Sequence, residues 1–207
     1  MKKISILLII ALLSSLLCSC QLYDATKTII GMVSPPDLAE RGTTNGYLYT
    51  NEFLGLSYRI DSSWGYYNEE EILDFYSLTQ DDVSGYDFYD MLATDTYRTQ
   101  QLSVYFYYIS ARQMTMLDMD DFLKDQMTNT EESFISQDFE IIDSEITEID
   151  IDGKKLDAIR YSHIYENVNG YTTQVIFPHK DYLVFITVET YYTDTTADVL
   201  DNFSWLE

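Results

Sequence analysis

The 207-residue sequence predicts an α+β fold: a single domain in which an antiparallel β-sheet of about six to seven strands is covered by helices. Three observations carry that expectation. Leu54, Leu56, Tyr58 and Ile60 alternate with Gly55, Ser57 and Arg59, the two-residue period of a half-buried strand. In the last third, apolar runs are separated by turn residues such as Asp152-Gly153 and Asn169-Gly170, as consecutive antiparallel hairpins require. Met119, Phe122, Leu123 and Met127 instead recur at helical spacing. Strands and helices fall into separate runs, the order of an α+β chain.

From the amino terminus, Lys2 and Lys3 precede an apolar run from Ile4 to Leu17. At 1.5 Å per residue this run spans roughly 21 Å, short of the ~30 Å hydrocarbon core. It therefore reads as a secretory leader. Leu17-Cys18-Ser19-Cys20 resembles the bacterial lipobox, in which a leucine and a small residue precede the lipidated cysteine. The resemblance implies diacylglycerol on Cys20 and cleavage between Ser19 and Cys20, with residues 1–19 as signal peptide. A disulfide between Cys18 and Cys20 would be strained, and the sequence holds no third cysteine. Two acyl chains anchor stably where one does not, so a membrane is an expected partner. Residues 20–46, punctuated by Gly31, Pro35-Pro36, Gly42 and Gly46, read as the lipidated cysteine and a tether. A short helix is allowed around Tyr23 to Met32. As a flexible chain the tether reaches about 28 Å, well beyond the roughly 8 Å screening length of surface charge.

The domain proper is expected over residues 47–207. Tyr47 to Thr50 pairs with the Leu54–Ile60 strand through Asn51-Glu52. Asn68 caps a helix whose first turn carries Glu69, Glu70 and Glu71, where the helix dipole favours negative charge. Residues 79–99 are acidic, tyrosine-rich and irregular, and read as a long loop or loose helix. Leu102 to Ile109 is a strand, and a helix follows from about Leu117 to Met127. Strands over Ile142–Ile151, Leu156–Tyr165, Tyr171–Phe177 and Tyr182–Thr190 form a meander, and a helix from Thr195 to Phe203 closes the chain.

Tyr47-x-Tyr49-x-Asn51, Gly55-Leu56-Ser57-Tyr58, Trp64 after a turn, the Ile151-Asp152-Gly153-Lys154 hairpin and the closing segment at Phe203 together resemble the Mog1/PsbP-like family. The likeness spans residues 47–207. Asp61 stands in the region where that family usually has a proline before the tryptophan turn. The resemblance implies a non-enzymatic binding or assembly module, although a fold by itself names no ligand.

Composition narrows the function further. With 12 basic and 35 acidic side chains the net charge is -23, which argues against nucleic acid because phosphate binding needs clustered cations. Aromatics are 15% of the chain, with 19 tyrosines, too many for a disordered chain. No thiol remains beyond Cys20, which removes cysteine nucleophiles and cysteine zinc sites. No Gly-x-Ser-x-Gly elbow, phosphate loop or dinucleotide fingerprint occurs. The two histidines, His163 and His179, lack partners at metal-ligand spacing. His163 reads as a packed strand residue and His179 as a solvated turn residue. The acidic groups Asp81, Asp82, Asp87, Asp90 and Asp118, Asp120, Asp121, Asp125 read as solvated faces, since neither has EF-hand spacing.

No cofactor, metal or catalytic residue is expected. Tyrosines at expected loops and element ends, namely Tyr66-Tyr67, Tyr86, Tyr89 and Tyr191-Tyr192, are candidate ligand contacts, because tyrosine gives large area and a hydroxyl at little entropic cost. The functional expectation is a lipid-anchored module on the extracytoplasmic side, at the cell surface or in the periplasm. It would bind an envelope protein or glycan. The alternatives are a hydrolase using paired carboxylates or His163, and a calcium-dependent adhesion or structural domain.

Overall fold

The structure, a computed structural model, describes residues 38–78 and 86–206. Its architecture is α+β, with two antiparallel sheets where the sequence suggests one. The smaller holds β1 (Thr43–Asn45), β2 (Leu48–Asn51), β3 (Leu56–Arg59) and β11 (Phe203–Trp205), in that order. The larger has seven strands: β4 (Trp64–Tyr66), β5 (Phe88–Asp95), β6 (Gln100–Tyr108), β7 (Glu140–Ile151), β8 (Lys154–Tyr165), β9 (Val168–His179) and β10 (Tyr182–Tyr191). Their spatial order is β4-β5-β6-β10-β9-β8-β7. The expected meander is therefore present as β7 to β10, and its last strand pairs with β6 at the sheet centre. Four helices complete the described chain: α1 (Glu69–Tyr76), α2 (Ala111–Met114), α3 (Met119–Ser136) and α4 (Thr196–Leu200).

The small sheet packs on one face of the large one. Tyr49, Leu56, Tyr58 and Phe203 meet Phe106, Val175, Val184, Ile186 and Val188 in the main core. On the opposite face, α3 lays Leu123 and Phe134 over Ile159, Ile176 and Phe185, while α1 sets Ile72, Phe75 and Tyr76 on Tyr89 and Leu92. Helices thus cover one face only, and a second sheet does what a helical cover was expected to do. Strand β10 lies between both layers, and every residue from Tyr182 to Thr190 is buried. Such a strand reads as a continuous apolar run, so its side-chain alternation is hidden from sequence.

Several boundaries differ from expectation for identifiable reasons. Helix α3 runs nine residues past Met127 because its buried stripe continues through Gln126, Thr130 and Phe134, two of them polar. Strand β5 lies inside the segment read as loop; its inward side chains alternate poorly because Tyr89, Met91, Leu92 and Ala93 are all buried around a bulge at Asp90. The expected closing helix stops at Leu200, and Phe203 instead packs its ring against Tyr58, centroids 4.5 Å apart, in β11. The β8–β9 turn falls at Glu166-Asn167, both with positive φ, while Asn169-Gly170 lies within β9. Gly170 is needed there for another reason: a Cβ would collide with the His163 ring.

The tether also ends earlier than expected. Residues 38–46 are docked on the domain: Ala39 N donates to Tyr182 Oη at 3.3 Å, Arg41 to Tyr89 O at 2.9 Å, and Gly42 N to Asp90 Oδ1 at 2.8 Å. Asp90 also accepts from Tyr49 Oη and from Asn51 Nδ2. The bulge in β5 therefore aims a carboxylate at the smaller sheet and fastens the strap. The leader, Ser19, Cys20 and the possible helix near Tyr23 lie outside the described residues. Among the described residues no helix is long and apolar enough to cross a membrane.

Candidate functional site

The six tyrosines selected from sequence do not form one surface. Tyr66 is half-buried and donates its hydroxyl to Tyr58 O at 2.9 Å. The Tyr67 hydroxyl meets Thr94 Oγ1 at 3.2 Å, with its ring edge-on to Phe75. Incomplete burial, expected for Tyr89, is not found. It is 5% exposed and stacks on Tyr76 at 4.1 Å, because β5 carries it under α1 rather than into a loop. Tyr191 is half-buried and points its hydroxyl at Glu189. Only Tyr86 and Tyr192 are well exposed, at 43% and 55%. Tyr86 packs on Tyr108, which pairs with the first residue of β10, whereas Tyr192 follows the last. A ten-residue strand puts them about 30 Å apart.

Around Tyr192, however, a built surface emerges at one end of the large sheet. Tyr97, 85% exposed, sits in the tight β5–β6 turn. Asp95 ties that turn: its Oδ1 accepts from the backbone N–H of Thr99 and Gln100 at 2.6 and 2.8 Å, and its Oδ2 from the Thr99 hydroxyl at 2.9 Å. Tyr191 N donates to Thr99 O at 2.9 Å and Tyr192 N to Asn169 O at 2.8 Å, so the turns carrying both tyrosines are stitched together. Gln100 Nε2 reaches Thr195 Oγ1 at 3.1 Å, and Asp194 receives Arg160 at 2.7 Å and the Thr196 hydroxyl at 2.8 Å. Tyr192 has φ 73°, a left-handed conformation that disfavours a bulky residue and turns its ring outward. Two exposed phenols therefore stand on hydrogen-bonded turns at this end of the sheet. Tyr97 lies in the acidic, tyrosine-rich stretch of residues 79–99, which shows no strand period in the sequence. The signal was Asp95 followed by Thr99 and Gln100, an acceptor set to close a turn.

The histidines part company. His163 is 2% exposed, wedged between Phe134 and Phe139 with Thr172 Oγ1 at 3.5 Å from Nε2. Burial pushes its pKa down to about 4, so it stays neutral, and it cannot reach a substrate at the surface. His179, expected in water, is half-buried and edge-on to Phe53 at 5.0 Å; desolvation lowers its pKa. Several of the described aspartates have structural partners. Asp87 accepts from Tyr108 N at 2.7 Å, Asp90 holds the strap, and Asp118 caps α3. Asp81 and Asp82 lie outside the described residues. Among the described residues no three His, Cys, Asp or Glu side chains gather as metal ligands.

No known protein family matches the chain, and neither does any curated protein. One solved structure, from Bacteroides thetaiotaomicron VPI-5482, is similar with a TM-score of 0.45 and 6% identity, over 79% of this chain and 50% of that one. The chain thus spans half the length of that protein, and so distant a likeness assigns neither family nor role.

Proposed function

We propose that this chain is a lipid-anchored, extracytoplasmic module that binds an envelope protein or glycan through the Tyr97–Tyr192 end of its large sheet. The observation that carries the anchor is Leu17-Cys18-Ser19-Cys20 after a short apolar run. Diacylglycerol on Cys20 fastens the chain, and residues 21–38 connect it to the first docked residue, Ala39. The binding role is supported by two exposed tyrosines held on turns that hydrogen bonds have already fixed, so little entropy is lost on contact. The large excess of acidic over basic side chains keeps the domain off anionic lipid and leaves its aromatic tip to make the specific contact.

Mass spectrometry of the native polypeptide tests the anchor: a lipid adduct on an amino-terminal Cys20 is expected, and an unprocessed Met1 without adduct overturns it. For the tip, envelope extracts and glycan arrays are probed with the native domain and with a Tyr97→Ala/Tyr192→Ala variant. Retained thermal stability with at least a roughly 30-fold loss of binding is expected for paired aromatic anchors. Unchanged binding by the variant removes the tip from the function.

A further inference from the structure

Behind the tyrosine tip, on the helix-bearing face, the central strands carry a row of buried polar side chains. Glu189 on β10 is directly opposite Gln101 on β6 and Thr172 on β9. All three are buried, with exposures of 3%, 4% and 6%. Opposed side chains in a sheet lie about 5 Å apart at Cβ, so they share one small volume. Tyr76 closes it from α1, beside Ser103 and within electrostatic reach of Glu189. Tyr191 closes it from the strand end.

Within this volume the Glu189 carboxyl meets hydroxyls and an amide but, among the described residues, no cationic side chain. Among the described residues Glu189 makes one long hydrogen bond, 3.4 Å from Tyr191 Oη, and enters no ion pair. Among the described residues Gln101 Oε1 is buried without a hydrogen-bond partner, and Tyr76 Oη has only the Ser103 hydroxyl beside it. A carboxyl withdrawn from water with no cation beside it, next to an unused amide oxygen, is an expensive arrangement to keep without a ligand. Desolvation accordingly raises the Glu189 pKa to about 7.

We propose that Glu189, Gln101 Oε1 and Tyr76 Oη form a binding site for one small monovalent cation, an alkali ion or ammonium. The charge argument selects the valence. A single carboxylate neutralises one positive charge, whereas a divalent ion would leave one uncompensated in low dielectric. The neutral amide and phenol oxygens replace part of the ion's hydration shell, as carbonyl oxygens do in ion-selective pores. This site is independent of the lipid anchor and of the exposed tip. Its occupancy would stiffen the strand that leads into Tyr191 and Tyr192.

The test is thermal unfolding of the purified full chain at pH 8 and constant ionic strength, in sodium, potassium, rubidium or ammonium chloride against choline chloride, whose cation is too large to enter. A saturable rise in Tm with at least one small cation is expected, about 5–10 °C at a hundredfold excess over Kd. Glu189→Gln should abolish the rise and Gln101→Leu should reduce it. Equal Tm in every salt overturns the proposal, as does a rise that Glu189→Gln leaves intact. Should the variants fail to fold, a crystal of the native chain soaked in rubidium chloride decides. An anomalous peak beside Glu189 supports the site, and ordered water alone there refutes it.

Discussion

His163 and Glu189 hold their protons in opposite ways. His163 has a pKa near 4 in the fold against 6.5 in a free chain. Above pH 6.5 it is neutral in both states; below that, only the unfolded chain takes the proton. Stability therefore falls as pH drops from 6.5 through 4, by about 3 kcal/mol in full. For Glu189 the folded value is about 7 against 4.5. The unfolded chain releases its proton first, so stability falls as pH rises from 4.5 through 7, again by about 3 kcal/mol. Urea unfolding in choline buffer from pH 4 to 8 should show the rising-pH loss disappear in Glu189→Gln. The falling-pH loss should shrink in His163→Leu. Gly170 belongs to the same scale: only the structure shows that its missing Cβ makes room for the histidine ring.

At the element scale, helix starts are the most legible feature. Asn68 accepts from Glu71 N at 3.0 Å while Glu71 Oε2 accepts from Asn68 N at 2.8 Å, a reciprocal box written in four consecutive residues. Asp118 caps α3 through Asp120 N and Asp121 N. Asn68→Ala and Asp118→Ala should each lower stability by about 1 kcal/mol in urea titrations, while Asn68→Asp, which keeps the acceptor, should not. Helix ends were less legible. Nothing local stops α3 at Met127, and its continuation depends on Thr130 and Phe134 finding Tyr161 and His163 beneath them. Strand β5 was hidden for a similar reason: buried on both faces and bulged at Asp90, it shows no two-residue period.

For the whole molecule, the strap from Leu38 to Asn45 joins the two sheets. Arg41 lies over the Phe88 ring at 4.6 Å, pairs with Glu69 at 3.0 Å and donates to Tyr89 O. Without the strap, Asp90 keeps Tyr49 and Asn51 but loses the Gly42 N–H. The β2 edge then stands unpaired. A chain beginning at residue 38 should melt at the same temperature as the full chain. One beginning at residue 47 should melt several degrees lower by differential scanning calorimetry, because it loses four part-buried hydrogen bonds, an aromatic–cation contact and a strand. At the other end, Trp205 Nε1 donates to Ile151 O at 2.8 Å under Lys154, so both ends of the described chain are fastened to the sheets.

The amino-acid order alone settled what depends on neighbours in the chain: the α+β class, the capped starts of two helices, the Asp152-Gly153 turn and the meander. These rest on periodicity and backbone preference within a few residues. It could not reveal that a second sheet covers the first, that Tyr97 and Tyr192 share one end, or that Glu189 faces Gln101 far from water. Those depend on strand order and register between segments nearly ninety residues apart in the chain, and a shift of one residue would turn each of these side chains to the other face.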